Sequence, residues 1–217
     1  MADKKRYKGY IWVTWLTKLL AKEDKCWYRG WYKTHNKYEK TPDDPERADF
    51  FTEWTKKHDR LVNGKADELR LNKDIVVRLE DEGAFKLVGK KADLAGKPDI
   101  VALSAEEALV IDGKSGKKRK SDHWQVLIYM FALPLSWLQG TKLRIKGEVL
   151  YPDGTVPVRP LGEAEKNEIV AAINRLTADE APAATPSMNE CRYCDLASCQ
   201  FRVETPVAVE GDATRFF

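Results

Sequence analysis

The sequence predicts an α/β fold in which a mixed central sheet is flanked by helices. Apolar residues recur at helical spacing in several segments, and β-branched residues alternate in the stretches between them. The resulting order of helix, β-meander, helix, strand and helix is typical of a sheet whose faces are covered by helices. Hydrophobic residues make up 43% of the 217 positions, so one sizeable core is expected.

Helices are predicted where apolar residues repeat every three or four positions. The first begins in the stretch rich in Trp and Leu near Trp12, and it is expected to end near Cys26. Residues 177–189 are rich in Ala and Pro, which favours a linker after the last helix. The remaining helices are predicted over residues 48–63, 122–133 and 163–176.

Strands are predicted where β-branched and other apolar residues alternate. Residues 74–79 and 84–88 flank an Asp-Glu-Gly turn, so we expect them to pair with each other as a hairpin. Residues 98–103 and 108–112 are two further strands joined by a short turn, and these should also lie side by side. A last strand over residues 143–151 ends at a Pro-Asp-Gly turn.

Lysine and arginine are concentrated in short runs, although the net charge is only +3. A charge run is usually a solvated face, so its meaning depends on its neighbours. No stretch approaches the roughly 20 apolar residues of a membrane span, and residues 10–21 are too short and too polar for one. We therefore expect a cytoplasmic protein without a membrane partner. The run considered below as a DNA contact consists of Lys117, Lys118, Arg119 and Lys120.

Two carboxylates and a lysine form the pattern with the clearest chemical meaning. Asp99 opens one predicted strand and Asp112 closes the next, so a hairpin can bring the two carboxylates together. Carboxylates held that close repel unless a cation lies between them, which favours a divalent ion with oxygen ligands. Lys114 lies two positions after Asp112 and shares its face of an extended chain. Its ammonium could orient a water or stabilise charge on a phosphate.

The alternative is that Asp112, Gly113 and Lys114 form an ordinary turn, because Asp-Gly pairs are common in turns. Three features of the setting favour the metal site instead. An apolar run precedes Asp112, a second acid lies thirteen positions upstream, and the basic run follows at once. A metal site beside several cations suits a polyanionic substrate such as DNA.

The order of these motifs resembles that of the PD-(D/E)xK nucleases, and among them the RecB-like group. The matching positions are His58, residues 96–99, residues 112–114 and residues 125–129, and the resemblance covers roughly residues 10–203. It implies a restriction-endonuclease-like fold. Residues 89–93 are a looser rival for the upstream acid. Asp99 is preferred because it leads directly into a strand.

The resemblance also implies a role for each matched side chain. Mg²⁺ or Mn²⁺ would be held by His58, Asp99, Asp112 and the backbone carbonyl of Gly113. Lys114 would act on the attacking water and the phosphate. Gln125 and Tyr129 lie four positions apart on one helix face. They would contact the DNA backbone and support the lysine, whereas otherwise Tyr129 would simply be a core residue.

The four cysteines indicate a second metal site. Cys191, Cys194 and Cys199 lie within nine residues, and Cys26 is far upstream. In a reducing compartment, four cysteines are metal ligands more often than disulfides. Four thiolates suit either Zn²⁺ or a [4Fe–4S] cluster, and the spacing by itself does not decide between them.

One distant cysteine followed by a C-terminal trio resembles the iron–sulfur form of RecB-like nucleases, which includes the CRISPR adaptation exonuclease family called Cas-four. The resemblance implies a structural [4Fe–4S] cluster that joins the first helix to the C-terminal segment, with structural Zn²⁺ as the alternative. Two departures bear on the subfamily rather than on the cluster. Trp27 and Tyr28 follow Cys26 where the family often has Pro-Arg, and the last gap is four residues where five is also common.

These patterns together predict one nuclease domain over residues 1–203. Its core would span about 48–176 and its cluster lobe about 10–35 plus 187–203, with a flexible tail over 204–217. We expect a deoxyribonuclease, of exonuclease type, that cuts single-stranded or end-exposed DNA. It would serve CRISPR adaptation and antiviral defence, recombination and repair, or mobile-element processing, with integrase or recombination proteins as partners. A catalytically silent DNA-binding scaffold subunit is the alternative, and the presence of both Asp112 and Lys114 favours the enzyme.

Overall fold

The fold is taken from a computed structural model that describes residues 4–41 and 48–203. The predicted tail over 204–217 lies outside these described residues. The strands are β1 (Lys4–Lys5), β2 (Gly9–Trp12), β3 (Asn36–Lys37), β4 (Val76–Leu79), β5 (Phe85–Val88), β6 (Ala92–Gly96), β7 (Ile100–Leu103), β8 (Glu107–Gly113), β9 (Arg144–Tyr151) and β10 (Gly154–Val158). The helices are α1 (Thr14–Leu20), α2 (Trp27–His35), α3 (Ala48–Arg70), α4 (Lys120–Ala132), α5 (Glu163–Leu176) and α6 (Met188–Arg192).

A five-stranded mixed sheet with the order β10-β9-β8-β7-β4 forms the centre of the molecule. The pairing of β8 with β9 is parallel, and the other pairings are antiparallel. Helix α4 packs on one face through Val126 and Leu127, together with Val149 of β9. The C-terminal half of α3 covers the other face, where Val62 and Ala66 pack with β7 and β8. The predicted mixed sheet flanked by helices is confirmed.

A glycine in the sheet lets α4 approach it closely. A Cβ atom built at Gly147 of β9 would collide with Val126 and Met130. The helix can therefore lie directly against the strand only because Gly147 has no side chain. This close approach sets the distance between α4 and β9.

The first predicted helix is wrong at both ends. Residues 9–12 are strand β2, which pairs in parallel with β6 and places the fully buried Ile11 beside Leu94. Helix α1 ends at Leu20, and the aromatic cluster near Trp27 forms the separate helix α2. The segment is apolar at both helical and strand spacing, and pairing with a distant strand decided between the two.

The predicted hairpin of residues 74–79 with 84–88 is also wrong, although both strands exist. Strand β4 pairs with β7 of the central sheet, whereas β5 pairs with β6 of a three-stranded sheet of order β2-β6-β5. A single 3₁₀ turn over Glu80–Glu82 separates them, and Glu80 has a positive φ of 41°. This turn redirects the chain from one sheet into the other.

The remaining predicted elements are present. Strands β7 and β8 form the expected antiparallel pair, and α4, α5 and β9 lie where helices and a strand were predicted. Helix α3 continues to Arg70, seven residues beyond its predicted end. Residues 178–187 contain no helix or strand. Among the described residues, no helix is long and apolar enough to cross a membrane.

Candidate active site

The predicted carboxylate pair lies where β7 begins and β8 ends. Ile100 is paired with Ile111, so Asp99 and Asp112 are the next positions outward along the two strands. The backbone N–H of Gly113 donates to Asp99 Oδ2 at 2.7 Å. The sheet register therefore holds both acids at one edge of the central sheet.

His58 reaches this edge from α3. Its Nε2 atom lies 3.2 Å from Asp99 Oδ2. The hydrogen bond to Asp99 raises the pKa of the imidazole, and partial burial opposes this effect. Gly113 packs closely against α3. A Cβ atom built on it would be 2.9 Å from Val62 Cγ2 and 3.5 Å from His58 Nε2. A side chain at position 113 would thus push α3 away from the site.

Asp112 and Lys114 form the inner part of the site. Asp112 is only 1% exposed, and burial raises the pKa of its carboxyl, with Asp99 acting in the same direction and Lys114 opposing both. Lys114 Nζ lies 2.5 Å from Asp112 Oδ2. Burial lowers the pKa of the ammonium, but Asp112 outweighs it and the net direction is upward. Although it is ion-paired, Asp112 Oδ2 makes no hydrogen bond within the described residues.

Gln125 of α4 joins the carboxylate to the lysine. Its Nε2 donates to Asp112 Oδ1 at 2.8 Å, and its Oε1 accepts from Lys114 Nζ at 3.1 Å. The same Nε2 lies 3.0 Å from the hydroxyl of Tyr129, which donates to the carbonyl of Lys97 at 3.0 Å. Tyr129 is 2% exposed. In this structure Gln125 therefore holds Asp112 and Lys114 in place by hydrogen bonds, and Tyr129 in turn contacts Gln125.

The predicted DNA-contacting run follows Lys114, and all four of its side chains are exposed. Lys118 is ion-paired with Asp153 at 2.7 Å. Among the described residues, the side chains of Lys117, Arg119 and Lys120 have no carboxylate within 4.0 Å. Three of the four cations are thus available to a polyanion.

The rival acid Asp93 lies elsewhere. It sits on β6, where Lys8 Nζ approaches one carboxylate oxygen to 2.5 Å and Lys86 Nζ the other to 2.9 Å. Hydrogen bonds from these two lysines hold the pKa of Asp93 below its usual value. Asp99, and not Asp93, is the acid that lies beside Asp112 at the sheet edge.

The sequence reasoning missed two residues at the site. Asp122, in the first turn of α4, is buried and accepts a hydrogen bond from the Tyr151 hydroxyl at 2.9 Å. Trp54 stacks on the His58 ring, with centroids 5.7 Å apart and ring planes 24° apart. Trp54 could have been found, because it precedes His58 by four positions and so shares its helix face. Asp122 could not have been found in this way, because its hydrogen-bond partner Tyr151 lies 29 positions further along the chain.

The structure brings the four cysteines around one cavity of about 20 Å³, to which Tyr28 and Phe201 also contribute. Cys26 and Cys191 are buried. All four are free thiols, and burial raises the pKa of Cys26 and Cys194. Within the described ranges, no group of three or more His, Cys, Asp or Glu residues stands in an arrangement that could hold a metal ion. The ligand assignments at both sites are therefore proposals.

Comparisons with known proteins bear on the fold and the family. A family model described as the PD-(D/E)XK nuclease superfamily matches residues 16–199. No curated protein matches the chain. A solved structure described as the crystal structure of SSO0001 covers 91% of this chain and 89% of its own, with 15% sequence identity and a TM-score of 0.47. The family match spans every residue assigned to the site above.

Proposed function

Because the chain belongs to the PD-(D/E)XK nuclease superfamily, we propose that it hydrolyses phosphodiester bonds in DNA with Mg²⁺ or Mn²⁺ as cofactor. The observation that carries the proposal is the bonded network at the sheet edge. His58, Asp99 and Gly113 form one half of it, and Asp112 and Lys114 form the other. These residue types at these positions are the parts that metal-assisted phosphodiester cleavage requires.

The proposal draws on carboxylate and carbonyl oxygens at the sheet edge, the ligand type that a hard divalent ion prefers. The ion would be held by Asp99, Asp112, His58 and the carbonyl of Gly113. A buried carboxylate oxygen without a hydrogen bond, Asp112 Oδ2, is the donor that such an ion would satisfy. When bound, the ion supplies a more acidic water and partial neutralisation of the phosphate charge.

Lys114 supplies the second cation of the site. Its ammonium stays charged, because Asp112 raises its pKa, and its side chain is 25% exposed. It can therefore face a phosphate while it remains anchored to the acid. A preorganised charge of this kind stabilises the transition state without reorganising during the reaction. Gln125 fixes both partners, since one amide group contacts each of them.

The substrate that fits best is single-stranded DNA or a duplex with free ends, cut exonucleolytically. Lys117, Arg119 and Lys120 are exposed and unpaired within the described residues, directly after Lys114. A phosphate backbone leaving the site would meet them, with an affinity that falls steeply as salt rises. CRISPR adaptation and antiviral defence, recombination and repair, and mobile-element processing are the processes to which such an activity belongs. Integrase or recombination proteins would be its partners.

We further propose that the four cysteines bind a [4Fe–4S] cluster, with structural Zn²⁺ as the alternative. Four thiols that are separated by up to 173 positions line one cavity, which supports a shared ligand. The Glu190 carboxylate accepts hydrogen bonds from the N–H groups of Lys25 and Cys26, at 2.6 and 2.9 Å. The segment before α2 is thus held beside α6, where a metal ion or cluster would join the two.

The activity is tested with a labelled single strand, a blunt duplex and a closed circular duplex at equal nucleotide concentration. Wild-type protein in Mg²⁺ or Mn²⁺ should cut the single strand fastest. Asp112→Asn should lower the rate by about 10²–10³-fold or more, because it removes the carboxylate charge that would hold the metal ion and anchor Lys114. Asp93→Asn is the matched control and should keep the wild-type rate. Binding without cleavage by the wild type would favour the silent scaffold, and equal rates on all three substrates would contradict the strand preference.

A further inference from the structure

One face of α3 continues past the sheet as an aromatic surface. In the C-terminal half of the helix this face is buried, and Val62 and Ala66 pack against the central sheet. Residues three or four positions apart lie on the same side of a helix. Counting back from Val62 in such steps gives His58, Trp54 and Phe51. The helix side that packs on the core is therefore the side that carries these rings.

The N-terminal part of this face is open to solvent. Trp54 is 44% exposed and Phe51 is 40% exposed. Every residue from 49 to 57 is exposed, whereas Val62 is 4% exposed. At about 1.5 Å per residue, Trp54 lies roughly 6 Å further along the helix axis than His58. The helix thus extends beyond the sheet edge that carries Asp99 and Asp112, with its apolar side turned toward that edge.

Trp54 is in direct contact with the site. Its ring stacks on that of His58, whose Nε2 is 3.2 Å from Asp99 Oδ2. The indole is therefore the first large aromatic surface that a strand would meet beyond these two residues. Nearly half of its surface remains open to a further stacking partner.

The charge beside Trp54 decides what kind of partner fits. Lys57 lies one helical turn from Trp54, is exposed, and has no carboxylate within 4.0 Å among the described residues. Lys56, on another side of the helix, is paired with Glu53 at 2.9 Å. An aromatic ring beside an unpaired cation suits single-stranded nucleic acid, in which bases stack and phosphates pair with cations. An apolar peptide would leave the ammonium without a partner.

We propose that Trp54 is a binding residue that stacks on an unpaired base of the DNA strand while the neighbouring phosphate lies at Asp112. The proposal rests on the nuclease function proposed above and adds a contact to the base rather than to the backbone. It also gives a physical reason for preferring single strands, because a base inside a duplex already stacks on both sides and cannot offer a free face to the indole.

The test compares a normal single strand with an abasic strand of the same length, which keeps every phosphate and lacks the bases. Binding is measured in an Asp112→Asn background, so that cleavage does not interfere. Trp54→Ala should raise the Kd of the normal strand by about 5- to 150-fold, the range for loss of one stacked base. It should leave the Kd of the abasic strand unchanged within about twofold. Trp54→Phe should keep most of the affinity, and Tyr7→Ala, which alters an exposed ring in the connection between β1 and β2, should change neither Kd.

Equal losses on both strands would overturn the proposal, since they would mean that Trp54 only positions His58 or supports the fold. An unchanged Kd for the normal strand would overturn it as well. Cleavage by the wild-type protein is measured in parallel. If the wild type does not cut, the proposed nuclease function fails; if it cuts and Trp54→Ala binds normally, only the stacking contact fails. A melting curve of Trp54→Ala that matches the wild type excludes misfolding.

Discussion

The proposed catalytic network, meaning the bonded side chains around Asp99 and Asp112, and the cysteine lobe, meaning residues 26–35 and 187–203, are held together in different ways. Asp99 and Asp112 are fixed by the register of β7 and β8. A side chain of α3 contacts Asp99 from one face of the sheet, and a side chain of α4 contacts Asp112 from the other. In the lobe, α6 has only five residues. Residues 187–203 are tied to the preceding chain by side-chain contacts, such as Glu190 with the N–H of Lys25, and by loop hydrogen bonds, such as that from the N–H of Thr41 to the carbonyl of Asp195.

The lobe combines one kind of contact between distant positions with another that is local. Lys33 Nζ lies 2.5 Å from a carboxylate oxygen of Asp195, 162 positions away, whereas the Arg202 guanidinium donates to the carbonyls of Cys191 and Leu196 within the C-terminal segment. The closing of a loop of more than 150 residues is thus left to side-chain contacts such as the Lys33–Asp195 ion pair. The sheet edge should therefore keep its geometry without any ligand, whereas the lobe should depend on what the cysteines bind.

The largest expected effect separates catalysis from stability. Lys114→Ala should lower kcat by about 10²–10³-fold, because it removes the charge that faces the phosphate. DNA binding should weaken only modestly, since other phosphate contacts remain. Lys146→Ala, which alters an exposed lysine paired with Glu107 on the same sheet, is the matched control. The kinetics and the iron content are measured together, and loss of bound iron in Lys114→Ala would show that the two regions are not independent.

The second prediction concerns the lobe alone. Cys194→Ser should bleach the brown colour that we expect of protein purified without oxygen, and it should lower Tm by about 5–10 °C through loss of the bound cluster. Tyr193→Phe, a conservative change at the adjacent exposed ring, should retain both colour and Tm. If the protein is colourless and holds one equivalent of zinc, the bound metal is zinc and not an iron–sulfur cluster. Its role in joining the two segments would be unchanged. An unchanged Tm after loss of metal would contradict the dependence of the lobe on its ligand.

The third prediction, with the smallest expected effect, concerns the hydrogen bonds by which Gln125 holds Asp112 and Lys114. Gln125→Leu removes the hydrogen bonds to Asp112 and Lys114 but keeps a side chain of similar size. Residues that orient metal ligands typically contribute 10- to 100-fold, so kcat should fall by about that factor. Colour and Tm should stay near wild-type values, and Gln139→Leu, at an exposed position, should have no effect. A loss as large as that of Lys114→Ala would mean that Gln125 itself contacts the substrate.

The sequence alone was sufficient wherever the deciding interactions are local. A connection of three residues leaves β7 and β8 little choice but to pair, because closing a short loop costs little entropy. That pairing places Asp99 beside Asp112, and the strand period puts Lys114 on the same side as Asp112. The helical period likewise placed Gln125 and Tyr129 on one face of α4. The core of the site was therefore readable before any tertiary contact was known.

Tertiary structure decided the elements whose partners are far away along the chain. The turn at Glu80 separates β4 and β5 into two sheets, and β2 becomes a strand only because β6 is there to pair with it. The sequence places Trp54 on the helix face of His58, but only the packing of α3 on the sheet decided how far that face extends beyond the sheet edge. Local pattern fixes which side of an element is apolar, but the burial of that side against a distant partner determines where the element lies.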